Sequence, residues 1–153
     1  MNLSLQLFPS EATDAPYIVM VHGLGSAATA WKPLIPLLKD TDPEIRAQAA
    51  KWIGDIKYKD AGEFLLALLV DEYPRARFFG AEAIGRIGYT PATTSLIGLL
   101  DNNNDEDAYI RHAASLALAR LNQPDELVAL AGEPSNAVRL GAVLALRRLG
   151  HPG

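Results

Sequence analysis

An arginine that returns at a nearly fixed interval limits what this chain can fold into more than any other feature. Arg46, Arg77, Arg111 and Arg139 are separated by 31, 34 and 28 residues, and the sequence around them keeps register. Three residues after each stands a small residue (Ala49, Gly80, Ala114, Ala142), and seven after it a bulky aliphatic one (Ile53, Ile84, Leu118, Leu146). Positions spaced this way share one face of an α-helix, so each arginine heads a helix with a small-and-large apolar stripe. One such unit cannot bury its stripe alone; stacked copies bury it against one another.

Helix punctuation agrees with that register. Pro43 and Pro74 suit a first helical turn, behind the possible caps Asp42 and Tyr73, and Gly88 and Gly150 fall eleven residues after their arginines as helix stops. Shorter second helices are expected at Asp60 to Val70, Pro91 to Leu100 and Pro124 to Ala131. Leu69, Leu100 and Ala131 then stand 8, 11 and 8 residues before the next arginine. The extra residues of the middle unit, Asn102-Asn103-Asn104, read as a polar turn insertion. Asn136 to Leu149 reads as a first helix with no second helix behind it, so the stack is expected to be an excerpt of a longer one. With 153 residues the chain can bury a core unaided by metal or disulfide, and it contains no cysteine.

The pattern Pro-x-x-Arg-x-x-Ala-Ala-x-x-Ile-Gly, followed by a helix ending Leu-Leu, resembles the short HEAT repeats also found in phycobilisome-lyase proteins, over about residues 30–150. The resemblance implies a mainly α fold, an α-α solenoid, and a non-catalytic scaffold making protein–protein contacts through its concave helix face. Two segments, Pro74 to Ala81 and Asp107 to Ala114, also resemble HEAT segments of large bacterial membrane-bound dehydrogenase or haem-binding proteins. A cysteine-free chain cannot carry the Cys-x-x-Cys-His haem signature, so no redox role or cofactor is carried over.

The N-terminal piece has a different grammar. Residues 2–8 alternate apolar and polar as a half-buried strand does, Pro9 to Ala15 read as a turn, and Tyr17 to Val21 suit a strand buried on both faces. His22-Gly23-Leu24-Gly25 forms a glycine loop, and Ser26 suits the cap of a helix running to about Lys39. Residues 3–38 resemble the opening β-β-α segment of α/β-hydrolases, which implies that the loop His22, Gly23, Leu24, Gly25 matches the oxyanion-hole backbone of that family. The Gly-x-Ser-x-Gly elbow is missing: Ser95 and Ser115 sit in expected helices, and His151 lies in a terminal tail. No catalytic residue is therefore assigned, and the loop is read as vestigial. A serine esterase is the rival functional reading.

Trp31 to Leu38 fits both patterns, since Leu38 stands eight residues before Arg46 just as Leu69 does before Arg77. The expected organisation is a hydrolase-like segment, residues 1–39, sharing its helix with a HEAT solenoid, residues 40–153, as a chimera made by design or recombination. Two strands alone leave open edges, so a homo-oligomer formed through the N-terminal strands is expected, the partner being another protein or the chain itself.

Among remaining candidates, His112 lacks a companion at metal-ligand spacing, and no metal site is expected. The arginine ladder beside Asp42, Asp71, Asp105 and Asp107 reads as inter-repeat ion pairs and hydrogen bonds to helix ends rather than an anion-binding stripe. Trp31, Trp52, Tyr58, Tyr73, Phe78, Phe79 and Tyr109 read mostly as packing. A net charge of -4 without runs of like charge argues against nucleic-acid and membrane partners, and the short apolar run Tyr17 to Val21 against a leader or span. A cytoplasmic protein is expected.

Overall fold

A computed structural model describes residues 34–150, all within the unit Trp31–Gly153. The expected N-terminal strands, the loop His22–Gly25 and the cap Ser26 lie outside the described residues, as does His151, so oligomerisation through those strands has no structural account here.

The arginine segments are helices: α2 (Pro43–Asp55), α4 (Pro74–Ile87), α6 (Ala108–Leu121) and α8 (Asn136–Leu149). They pack in succession, α2 on α4, α4 on α6 and α6 on α8, as one layer. The second layer holds α3 (Gly62–Leu65), α5 (Thr93–Asn103) and α7 (Pro124–Ala129), each extended by 3-10 turns: Lys59–Ala61 and Leu66–Val70 around α3, Thr90–Ala92 before α5 and Leu130–Gly132 after α7. A short α1 (Leu34–Leu37) precedes α2. The described residues contain no strand, and no helix among them is long and apolar enough to cross a membrane.

Local chemistry sets the helix ends. The Asp42 carboxylate accepts from the backbone N–H of Glu44 at 2.8 Å, with Pro43 at the first helical position, and Asp107 accepts from Tyr109 N–H at 2.8 Å and Ile110 N–H at 3.3 Å. Tyr73 holds the cap position of α4 but its side chain makes no capping bond; Asp71, two residues earlier, accepts its N–H at 2.9 Å. Eleven residues after each arginine the backbone turns left-handed, at Lys57 (φ 54), Gly88 (φ 72), Asn122 (φ 56) and Gly150 (φ 69). Such a residue ends a helix by turning the chain back over its last carbonyls, and glycine does it without a steric penalty.

The apolar stripe is the core. Ile53, Ile84 and Leu118 are at most 1% exposed, and the small residues Ala49, Gly80, Ala114 and Ala142 are buried beside them. Neighbouring arginine helices meet almost backbone to backbone. A methyl placed on Gly54 stands 2.8 Å from Ala83 Cα, and one on Gly85 stands 2.7 Å from Ala117 Cα, closer than two carbons can pack. Leu38 is 3% exposed, so the register shared by the linking helix is buried with the solenoid.

Two details differ from expectation. The asparagine tract is not a turn insertion: Asn102 and Asn103 form the last turn of α5, and left-handed Asn104 (φ 44) ends it. Three added residues nearly complete one 3.6-residue turn, so the helix absorbs them without rotating its apolar face far. The Asn103 side chain then ties the connection, donating to Asp107 O at 3.1 Å and accepting from Asp107 N–H at 3.3 Å. In the last unit Ala131 is exposed and Leu130 is buried instead. Leu130 corresponds to Leu68 and Leu99, which are buried beside Leu69 and Leu100, so in the last unit only the inner position of the pair is covered.

Candidate interaction surface

The four ladder arginines fold back onto the chain that leads into their helices. Arg46 Nη1 donates to the carbonyls of Asp40 at 2.9 Å and Thr41 at 3.2 Å, and Arg77 Nη1 to those of Asp71 at 2.7 Å and Glu72 at 3.1 Å. Arg139 repeats this with Glu133 and Pro134, the latter at 2.9 Å, and also bonds Asn136. Arg111 instead pairs with the Asp105 carboxylate, where the enlarged connection places left-handed Asp105 (φ 62). Each guanidinium thus collects carbonyls that would otherwise lack donors, or the acid beside them.

Among these four, the Arg46 ion pair alone crosses to the next repeat, its fork closing on both oxygens of Asp71. The guanidinium, with help from the Tyr73 N–H, holds the Asp71 carboxyl below its ordinary range despite its burial, and Asp71 in turn raises the affinity of Arg46 for its proton. One regularity was missed in the sequence: an acid (Asp40, Asp71, Asp105, Glu133) stands six residues before every ladder arginine. That spacing is legible in the sequence and adds Asp40 and Glu133 to Asp71 and Asp105, already placed beside the ladder.

At the start of α4 and α6 an open groove with room for about 540 Å³ is lined by Pro74, Arg75, Phe78, Phe79, Asp107, Tyr109 and Ile110. Phe78 and Phe79 meet edge to face, ring centres 5.1 Å apart at 79°. The Arg75 guanidinium lies 5.5 Å from the Phe79 ring centre, and its Nε is 3.5 Å from Glu44 Oε1. Tyr109 is 77% exposed. Asp107 is occupied as a helix cap. The lining has no nucleophile–base pair; it offers rings, a stacked cation and shape.

The other candidates are dispersed. Tyr58 is buried, Tyr73 donates from its hydroxyl to Glu44 Oε2 at 3.3 Å, and half-buried Trp52 lies under the Lys51 ammonium, 4.9 Å from the ring centre. His112 is exposed, its Nδ1 3.2 Å from Arg148 Nη2, and among the described residues no three His, Asp or Glu side chains converge as metal ligands. Ser115 is fully buried and donates to Arg111 O at 2.8 Å within its own helix.

A family model of HEAT repeats matches residues 31–108. Among solved structures, the chain is similar to the complex of CpcE and CpcF of phycocyanin lyase from Nostoc sp. PCC7120, at 25% identity and a TM-score of 0.61 over 88% of this chain and 59% of that one. It is also similar in fold to an engineered protein solved by the Northeast Structural Genomics Consortium, at 20% identity and a TM-score of 0.55 over 80% of this chain and 64% of that one. The chain therefore spans 59% and 64% of the length of the structures it matches. No curated protein matches it. Repeat register, two helical layers and the family match agree: the chain belongs to the HEAT-repeat family.

Proposed function

We propose that this chain is a non-catalytic helical-repeat scaffold that binds another protein through the groove between α4 and α6. The observation that carries this reading is Tyr109: a large ring left 77% exposed, beside Phe78, Phe79 and a stacked arginine. Exposed aromatic and arginine side chains around an apolar recess are what protein interfaces concentrate. The similarity to a structure that is a complex of two proteins supports it. In this reading residues 1–39 are a hydrolase-like segment joined by design or recombination to the binding unit, residues 40–153, and the loop His22–Gly25 has lost its chemistry.

A photo-crosslinking residue at position 109 tests it, with the same residue at exposed Ser95 on α5 as control. Position 109 is expected to capture a protein that the control does not. That partner, once purified, is expected to bind Tyr109→Ala at least about tenfold more weakly. Equal capture at both positions overturns the reading. Hydrolysis of p-nitrophenyl esters by the purified chain, abolished by His22→Ala, replaces it with the esterase.

A further inference from the structure

The junction that Arg46 and Asp71 close is left open one repeat later. Asp71 stands six residues before Arg77, so by the same register the acid for Arg77 is Asp105, six residues before Arg111. The enlarged connection turns Asp105 left-handed (φ 62) and gives its carboxylate to Arg111 instead. Asn103 holds that connection in place through both backbone groups of Asp107. Arg77 keeps one occupied nitrogen, Nη1, on the carbonyls of Asp71 and Glu72. Among the described residues its Nε and Nη2 have no acceptor, and the guanidinium makes no ion pair.

This guanidinium lines a recess with room for about 320 Å³, together with Leu69, Val70, Asp71, Leu99, Asn102 and Asn103. A water takes up about 30 Å³, so the space admits a group much larger than one solvent molecule. The wall acid does not satisfy Arg77, because Asp71 already receives Arg46 Nε on Oδ2 and both Arg46 Nη2 and the Tyr73 N–H on Oδ1. Next to these charges Val70 stands 76% exposed. The residue in its position elsewhere, after Leu38, Leu100 and Ala131, is Lys39, Asp101 or Gly132. Only this repeat therefore sets an aliphatic side chain in water beside an unfilled arginine fork.

Two parallel N–H donors match the two oxygens of a carboxylate, and the bonds at Nη1 hold the fork still before a ligand arrives, so less freedom is lost on binding. An apolar wall with one placed cation suits a ligand that carries both an acid and an aliphatic group. A phosphate dianion fits less well, since the Asp71 carboxylate lines the same recess and repels it. A protein segment carries both groups on neighbouring residues, as Val70 and Asp71 do within this chain.

We propose that Arg77 takes the side-chain carboxylate of an aspartate or glutamate from a partner protein, in the place that register assigns to Asp105, with an aliphatic neighbour of that acid covering Val70. The recess shares no lining residue with the aromatic groove, so the two sites stand or fall separately. Titration of the full chain with a Val-Asp-Val peptide capped at both ends tests it, followed by NMR at the Arg77 Nε–H and the Val70 and Asn102 amides. Saturation with a Kd on the order of 1 mM is expected, and at least about tenfold weaker binding of capped Val-Asn-Val. Arg77→Gln is expected to weaken the aspartate peptide by about tenfold or more. Because Arg77 also holds two carbonyls, Asn102→Glu gives a second variant that keeps it: a carboxylate on the recess wall competes for the fork, and peptide binding is expected to vanish with the melting temperature held or raised. Arg75→Gln, in the aromatic groove, is expected to leave binding unchanged. Equal binding of the two capped peptides overturns the proposal. So does tighter binding of inorganic phosphate or of Val-Asn-Val with a free C-terminus, or parent-like binding by both Arg77→Gln and Asn102→Glu.

Discussion

The guanidinium of Arg46 closes on the carboxylate of Asp71 in a two-point fork, Nε to Oδ2 at 2.7 Å and Nη2 to Oδ1 at 2.8 Å, joining residues 25 positions apart. Both side chains are largely buried, 14% and 9% exposed, and Asp71 also takes the Tyr73 N–H that no cap satisfies. Asp71→Ala strands a buried guanidinium and an orphan amide together. It is expected to lower unfolding free energy by about 2–4 kcal/mol in urea titrations. A loss no larger than that of an exposed ion pair, about 0.5 kcal/mol, contradicts this.

The same pair sets an acid sensitivity. Because the Asp71 carboxyl is held below its unfolded value, its contribution is complete above about pH 4–5 and is lost as pH falls through the lower folded value. Melting curves from neutral to acid pH are expected to fall more steeply for the parent chain than for Asp71→Asn, which has no proton to take up there. Parallel curves contradict it.

Glycines separate close helix crossings from open surface. Gly54→Ala and Gly85→Ala force a methyl against the neighbouring backbone and are each expected to destabilise by about 1–3 kcal/mol, although alanine is the better helix former. Gly98→Ala, in α5 with nothing within 4 Å, is expected to stabilise by about 0.5–1 kcal/mol. Thermal denaturation of the three variants reads the sign directly, and a shared sign contradicts the geometry.

Tyr109 distinguishes binding from folding. With 77% of its surface exposed, Tyr109→Ser is expected to shift stability by no more than about 0.5 kcal/mol while weakening partner capture. A large fall in melting temperature makes the ring structural instead.

Much of the helical register was readable because it is local. Pro43 and Asp42 announce α2, Gly88 and Gly150 stop α4 and α8, and buried Ile53, Ile84 and Leu118 follow from their spacing alone. Asn103 is helical because its tract adds nearly one turn, whereas nothing in the local spacing marks Leu130 rather than Ala131 as the buried residue of the last unit.

Sequence by itself determined a stack of arginine-headed helix pairs, since periodicity, caps and small residues act over a few neighbouring positions. Only tertiary structure decided that Arg46 reaches Asp71, that Phe78, Phe79 and Tyr109 line one groove, and that Arg86 and Arg120 overhang the glycines of the preceding helix. Those meetings depend on how one helix slides along the next. The depth to which Gly54 and Gly85 let Ala83 and Ala117 approach fixes that register.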